Sequence, residues 1–168
     1  MDGKARRRAI LEALEGGGQP VSASVLARKL GVSRQIIVGD VALLRSAGAG
    51  IAATPRGYVL EKGETGLRRQ VACRHTAGEM GTELYAMVDN GCTVVDVIVE
   101  HPVYGQLTGS LQLRSRYDVD QFIARSQGAS PLSLLTEGIH LHTLLCPDEA
   151  ALERVRQELR RLGILLEQ

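Results

Sequence analysis

In the first sixty residues the apolar positions recur at helical spacing and are cut by serine and glycine. Ile10, Leu11 and Leu14 predict a helix over 4–15, closed by Gly16-Gly17-Gly18. Ser22 is placed to cap a second helix carrying Val25, Leu26 and Leu30, which Gly31 ends. Ser33 is placed to cap a third, with Ile37, Val41 and Leu44 on one side and Gly48 and Gly50 beyond it. The period then falls from 3.6 to 2. Residues 51–54 and 57–60 read as two short strands around Pro55-Arg56.

Glu61 to Gly66 is polar and contains glycine, and reads as a linker. Beyond it the pattern predicts a strand over 68–75 and a helix over 77–89, where Thr76-Ala77-Gly78-Glu79 has capping-box spacing. Strands follow at 94–100 and 107–113, a helix near 118–127, a strand at 138–145, a helix at 148–161 and a short final strand at 164–167. The fold class is therefore α+β: a winged helix-turn-helix over 1–62, then a domain over 67–168 with helices laid on a mostly antiparallel sheet.

Charge sharpens this division. The net formal charge of the 168 residues is only +1, but residues 1–60 hold nine Lys/Arg against four Asp/Glu, and the remainder holds eleven against fifteen. A basic module joined to a slightly acidic one suits a DNA reader with a regulatory partner. Cys73, Cys92 and Cys146 match no disulfide framework or CxxC pair and read as reduced thiols of a cytosol. Arg6-Arg7-Arg8 leads into an amphipathic stretch rather than a signal peptide, and no apolar run is long enough to span a bilayer. The expectation is a soluble cytoplasmic protein with no membrane partner.

In a helix-turn-helix the last helix enters the major groove by its N-terminal residues, here Ser33, Arg34, Gln35 and Val38. Arginine pairs bidentately with guanine and glutamine with adenine. Ser33 can bond a phosphate as well as cap the helix. The hairpin would be the wing, its Thr54 and Arg56 reaching the DNA backbone or minor groove.

All four histidines lie in the second domain: His75, His101, His140 and His142. On a strand, His140 and His142 share one face, about 7 Å apart, and Ile139, Leu141 and Thr143 are expected to point the other way, toward the helix layer. Glu83 falls inside the apolar stripe formed by Met80, Leu84, Met87 and Val88. A carboxylate there needs a cation or dedicated donors, whereas Glu79 fits the capping box. His75, Glu83, His140 and His142 make a three-imidazole, one-carboxylate set suited to one divalent transition metal (Ni, Zn, Fe or Mn). His101 closes a strand and is a candidate for contacting a ligand or orienting a metal donor. Cys73 and Cys146 lie near these residues in sequence, and read better as small core residues than as soft ligands.

The run from Leu26 to Val38 looks like the winged helix of the biotin-operon-repressor type. Val32 to Asp40, Leu43-Leu44-Arg45 and Ala53-Thr54-Pro55-Arg56-Gly57-Tyr58 resemble the module at the front of niacin-responsive repressors; Gly39 departs from that pattern and removes one possible base contact. Arg74-His75-Thr76-Ala77-Gly78-Glu79-Met80, Val99-Glu100-His101-Pro102-Val103-Tyr104-Gly105 and Leu135-Thr136-Glu137-Gly138-Ile139-His140-Leu141-His142-Thr143 resemble the three signature segments of the 3H domain. The resemblance implies a fold like that of the histidine-containing phosphocarrier, a metal at His75, Glu83, His140 and His142, nicotinic acid as effector, control of genes for NAD synthesis or niacin uptake, and a homodimer.

On this reading nicotinate binds beside the metal, with His101, Tyr104 and Arg74 around it; Arg114 and Arg116 are the other arginines available to its carboxylate. The expected function is that of a repressor, not an enzyme. A metal-sensing repressor and a metal-dependent hydrolase acting on a nicotinamide-type molecule are the alternatives. The hydrolase lacks a general base beyond the four ligands.

Overall fold

The computed structural model describes residues 1–61, 66–128 and 138–167. The chain forms two compact units, Met1–Gly63 and Glu64–Gln168. The centre of the expected linker and residues 135–137 of the last signature segment lie outside the described residues. Among the described residues no helix is long and apolar enough to cross a membrane.

The first unit holds α1 (Gly3–Glu15), α2 (Ala23–Leu30), α3 (Arg34–Ser46), β1 (Ile51–Thr54) and β2 (Gly57–Leu60). Each helix start is capped by a side-chain oxygen that accepts an otherwise unpaired N–H: Asp2 from Ala5, Ser22 from Val25 and Ser33 from Ile36. Gly31 ends α2 in the left-handed conformation. Ile10, Leu14, Leu26, Ile37, Val41, Leu44 and Ile51 close the core. Asp40 is buried on α3 and accepts from Arg6 Nε at 2.5 Å and from Arg7 Nη1 at 3.3 Å. The Arg6 hydrogen bond outweighs the cost of burial and holds this carboxyl below the ordinary range, so α1 is tied to α3 by charge as well as by packing. β1 and β2 pair antiparallel, and Val21 exchanges both backbone bonds with Tyr58 at 2.9 Å. Gly57, at φ +132°, lies against the Val21 backbone, where any side chain would collide.

The second unit runs β3 (Leu67–Arg74), a 3-10 turn (Ala77–Glu79), α4 (Met80–Asp89), β4 (Thr93–His101), β5 (Gly105–Leu113), α5 (Arg116–Arg125), β6 (Ile139–Cys146) and α6 (Glu149–Arg161). The strands form one antiparallel sheet in the order β3-β6-β4-β5. Leu84 and Met87 of α4, Val119 of α5 and Leu152, Val155 and Leu159 of α6 pack on Val71, Val94, Leu113 and Leu144. The result is a two-layer α+β unit. Ile164–Glu167 forms a single bridge from Leu165 to Cys73 rather than a strand, with Ile164 and Leu166 bonded to Arg74 and Ala72.

Two expectations are corrected. The helices cover the face of His140, His142 and Leu144, not that of Ile139, Leu141 and Thr143: Leu144 is in the core, whereas Ile139 is 41% exposed. Both faces of β6 are apolar enough to be covered, so alternation alone cannot choose between them. The cysteines are not all reduced: Cys92, just before β4, is bonded to Cys146 at the end of β6, with a Cα separation of 4.4 Å. That pairing spans 54 residues and arises only when β4 and β6 become neighbours.

Candidate metal centre and nucleic-acid interface

The carboxylate of Glu83 is the centre of the second unit's polar interior. Its side chain is 1% exposed, and the side chains of His75, His140 and His142 are 3%, 1% and 5% exposed. Glu83 lies in the first turn of α4, which descends onto the sheet because Leu84, Met87 and Val88 bury on the same side. The start of this helix is fixed by Thr76, whose N–H and hydroxyl both donate to Glu79 Oε1, at 3.1 and 3.0 Å. His75 directly follows β3, and Thr76 separates it from this turn. The structure thus brings together the four side chains singled out by spacing.

Each imidazole is held by its other nitrogen. Nδ1–H of His75 donates to the Thr76 carbonyl at 2.6 Å, that of His140 to Gly138 at 2.8 Å, and that of His142 to Asp96 at 2.8 Å. A carbonyl only accepts, so the proton of each neutral ring sits on Nδ1 and the lone pair on Nε2. All three Nε2 atoms point at Glu83: His140 contacts both carboxylate oxygens at 2.9 and 3.0 Å, His75 contacts Oε2 and His142 contacts Oε1. The His140 ring meets the other two edge-on, with centroids 4.8 Å away in both cases.

Three lone pairs and a carboxylate converging in a dry interior repel one another unless positive charge lies among them. Protons on the rings are one source of it. Burial opposes charge on His75 and His142, but Glu83 outweighs burial and raises both above the ordinary histidine range. Burial alone would raise Glu83; the three imidazoles override it and hold its carboxyl well below the ordinary range. One divalent cation would satisfy the same four groups at once, and imidazole nitrogen with carboxylate oxygen is a donor set for Zn, Ni, Fe or Mn. The tautomers already match such a role.

Two further features support the cluster: a bulge that no residue pattern announces, and Cys73, which the sequence reads better as a core residue than as a ligand. A bulge in β4 between Val94 and Asp96 turns the Asp96 carbonyl toward His142, while Asp96 Oδ1 accepts the Thr143 N–H at 3.0 Å. A bulge leaves no signature in a valine-rich run. Cys73 is the second. It pairs with His140 across β3 and β6, is fully buried, and has a potential ligand atom in a group with Glu83 and His140 whose members lie within 4.8 Å of one another. Burial, and then the nearby Glu83 charge, pushes its thiol far above the ordinary range.

The remaining candidates of this unit lie elsewhere. His101 is two positions beyond Val99, on the histidine face of β4, but its Nδ1 accepts from the Val103 and Tyr104 N–H groups at 3.0 and 3.2 Å. It therefore carries its neutral-state proton on Nε2, opposite to the other three. Its ring centroid is 5.0 Å from that of the exposed Tyr104. Arg74 pairs with Ile139 and alternates with Cys73, so it belongs to the sheet face away from the cluster. Arg116 makes two bonds to Asp89, at 2.8 and 2.7 Å, and stacks over Tyr85. Arg114 is exposed, and its N–H donates to Asp118.

In the first unit, Ser33, Arg34 and Gln35 are exposed at the start of α3, and Ile36, Gly39 and Leu43 share its outer side. Val38 is partly buried and packs against the core. The Thr54 hydroxyl donates to the Gly57 carbonyl at 2.7 Å and accepts from the Arg56 N–H at 3.2 Å, so it shapes the hairpin turn. Arg56 is half-buried on that turn.

Residues 68–168 match the 3H domain family and residues 6–59 the HTH domain family. The chain is 47% identical over 165 residues to the probable transcription repressor NiaR of Thermotoga maritima, a match covering 97% of this chain and 94% of that protein. It is 41% identical over 170 residues to the transcription repressor NadR of Bacillus subtilis, covering 98% of this chain and 94% of the other.

Proposed function

The chain belongs to the 3H-domain family and carries an HTH domain ahead of that domain, and from this premise we propose that it is a cytoplasmic repressor whose grip on operator DNA is set by nicotinic acid bound beside a metal in the 3H domain. Its relatives are named as transcription repressors. The observation that carries the metal reading is the convergence of three Nε2 atoms on Glu83 while each Nδ1 is tied to a backbone carbonyl. His75, Glu83, His140 and His142 would hold the ion, which when bound offers Lewis-acid attraction for a ligand carboxylate.

His101 supports an effector pocket at the same end of the sheet. Its Nδ1 is occupied, so the proton on Nε2 is available to an anionic ligand, with Tyr104 beside it as an aromatic surface. Arg34 and Gln35 at the exposed start of α3 would read base edges, Ser33 a phosphate, and Arg56 on the wing the DNA backbone. Val38 and Thr54 would act chiefly through packing and turn shape. The repressor would work as a homodimer, two winged helices meeting half-sites about one helical turn apart, with the effector biasing their placement.

The test is a DNA mobility shift with nicotinate and a chelator added separately and together, on the parent chain and on His140→Ala. The reading requires that nicotinate tighten operator binding, that chelator abolish the response, and that His140→Ala bind DNA without responding. A response unaffected by chelator and by His140→Ala would end it. The near-complete burial of the four donors favours a second reading, in which the metal itself is the signal. Titrating operator affinity against metal without nicotinate separates the two: a full response to metal alone supports the second.

A further inference from the structure

We propose that Cys73 is a fifth donor to the cation held by His75, Glu83, His140 and His142, giving the site a sulfur ligand. The inference rests on the reading of those four residues as a metal site.

The register comes first. Cys73 on β3 and His140 on β6 are directly opposed, so their side chains leave the sheet on the same face, with Cβ atoms about 4.5–5.5 Å apart. Glu83 comes down from α4 onto that pair. Possible ligand atoms of Cys73, Glu83 and His140 lie within 4.8 Å of one another. Two donors to one ion are separated by at most the sum of their bonds, about 4.4 Å for a thiolate and an imidazole. The three groups therefore stand close to the spacing that a shared ion would impose on them.

Charge gives an independent argument. A divalent ion with neutral imidazoles and one carboxylate leaves a net positive charge in a site whose side chains are at most 5% exposed. Buried net charge is unfavourable. A Cys73 thiolate would cancel it. Cys73 is free to do so, because the disulfide is made by Cys92 and Cys146. On binding, the metal–sulfur bond forms as the S–H bond breaks, and the proton leaves to solvent. Thiolate is a soft donor and would favour Zn, Co or Ni over Mn. A fifth protein donor would also leave a single place in an octahedral sphere for an incoming carboxylate.

The experiment uses the full chain loaded with one equivalent of Co(II), alongside Cys73→Ser and Cys73→Ala. A sulfur-to-cobalt charge-transfer band in the near ultraviolet is expected in the parent, together with visible d–d bands. Both variants should lose the first and keep the second. X-ray absorption of the Zn-loaded parent should show one sulfur at about 2.3 Å, a measurement that decides the matter even if the variants fold poorly. Visible bands without the sulfur band, or a sulfur band that survives in both variants, would overturn the role of Cys73 while leaving the four-donor site standing. A parent chain showing no d–d bands at all would remove the site and the proposal together.

Discussion

Gly138 lies against the backbone of His75: at its φ of +90°, a Cβ would collide with the His75 carbonyl oxygen. Its own carbonyl accepts from His140 Nδ1 at 2.8 Å. One residue without a side chain thus sets the spacing of two candidate metal donors recruited from opposite ends of the unit's sequence. Gly138→Ala is expected to cost about 1–3 kcal/mol in backbone strain, and more from the collision, lowering the unit's melting temperature by roughly 5–15 °C. Metal affinity should fall by at least about tenfold. Calorimetric titration with Zn(II) or Ni(II) checks the second effect, and thermal melting the first.

The pH dependence of the metal-free protein should invert when metal is added. His75 and His142 have raised folded-state values, so their contribution is full below the unfolded value of about 6.5 and is lost as pH rises through the raised ones. Glu83, held low, contributes above about pH 4.3 and loses its contribution on acidification. Metal competes with the histidine protons, so the stabilisation it adds must grow as pH rises. Melting curves between pH 5.5 and 8.5, with chelator and with saturating metal, should therefore diverge toward alkaline pH. Parallel curves would contradict the arrangement.

Glu83→Gln keeps the shape of the side chain and removes the charge at its centre. Metal affinity should drop by more than about 100-fold. The metal-free protein should also lose its alkaline destabilisation, because the partner that raises His75 and His142 is gone. Titration and pH-dependent melting of this one variant report on both.

On α3, exposure separates recognition from support. Arg34→Ala and Gln35→Ala should each weaken operator binding by about 1–3 kcal/mol without shifting the melting temperature, since both residues are exposed. Val38→Ala should lower the stability of the first unit and change DNA binding little, because its side chain packs on the core. Fluorescence anisotropy with operator DNA, paired with melting, distinguishes the two kinds of effect.

Alkylation of the denatured, unreduced protein should label Cys73 and leave Cys92 and Cys146 unlabelled by mass spectrometry. Reduction should destabilise the second unit by up to about 4 kcal/mol, the entropic value for a loop of this length.

Much of this was legible before any coordinates. Ser22, Ser33 and the Thr76–Glu79 box announce their helices because capping is local chemistry, decided within four residues. Glu83 stands out because a carboxylate in an apolar stripe violates the period around it, and His140 and His142 because a strand alternates. What escaped notice depends on distant partners. Alternation says which residues share a face of β6 but not which face the helices cover. The Cys92–Cys146 bond, the bulge at Asp96 and the pairing of Cys73 with His140 exist only after strands far apart in sequence become neighbours.

The backbone carbonyls that grip the three imidazoles belong to Thr76, Gly138 and Asp96, on three separate stretches of chain. No short fragment can reproduce that grip, and a newly made polypeptide cannot acquire it until its last strand has docked. Ring orientation is consequently a record of completed folding. Damage that displaces any one of those three stretches would be felt at the ring it holds, however far along the chain it lies.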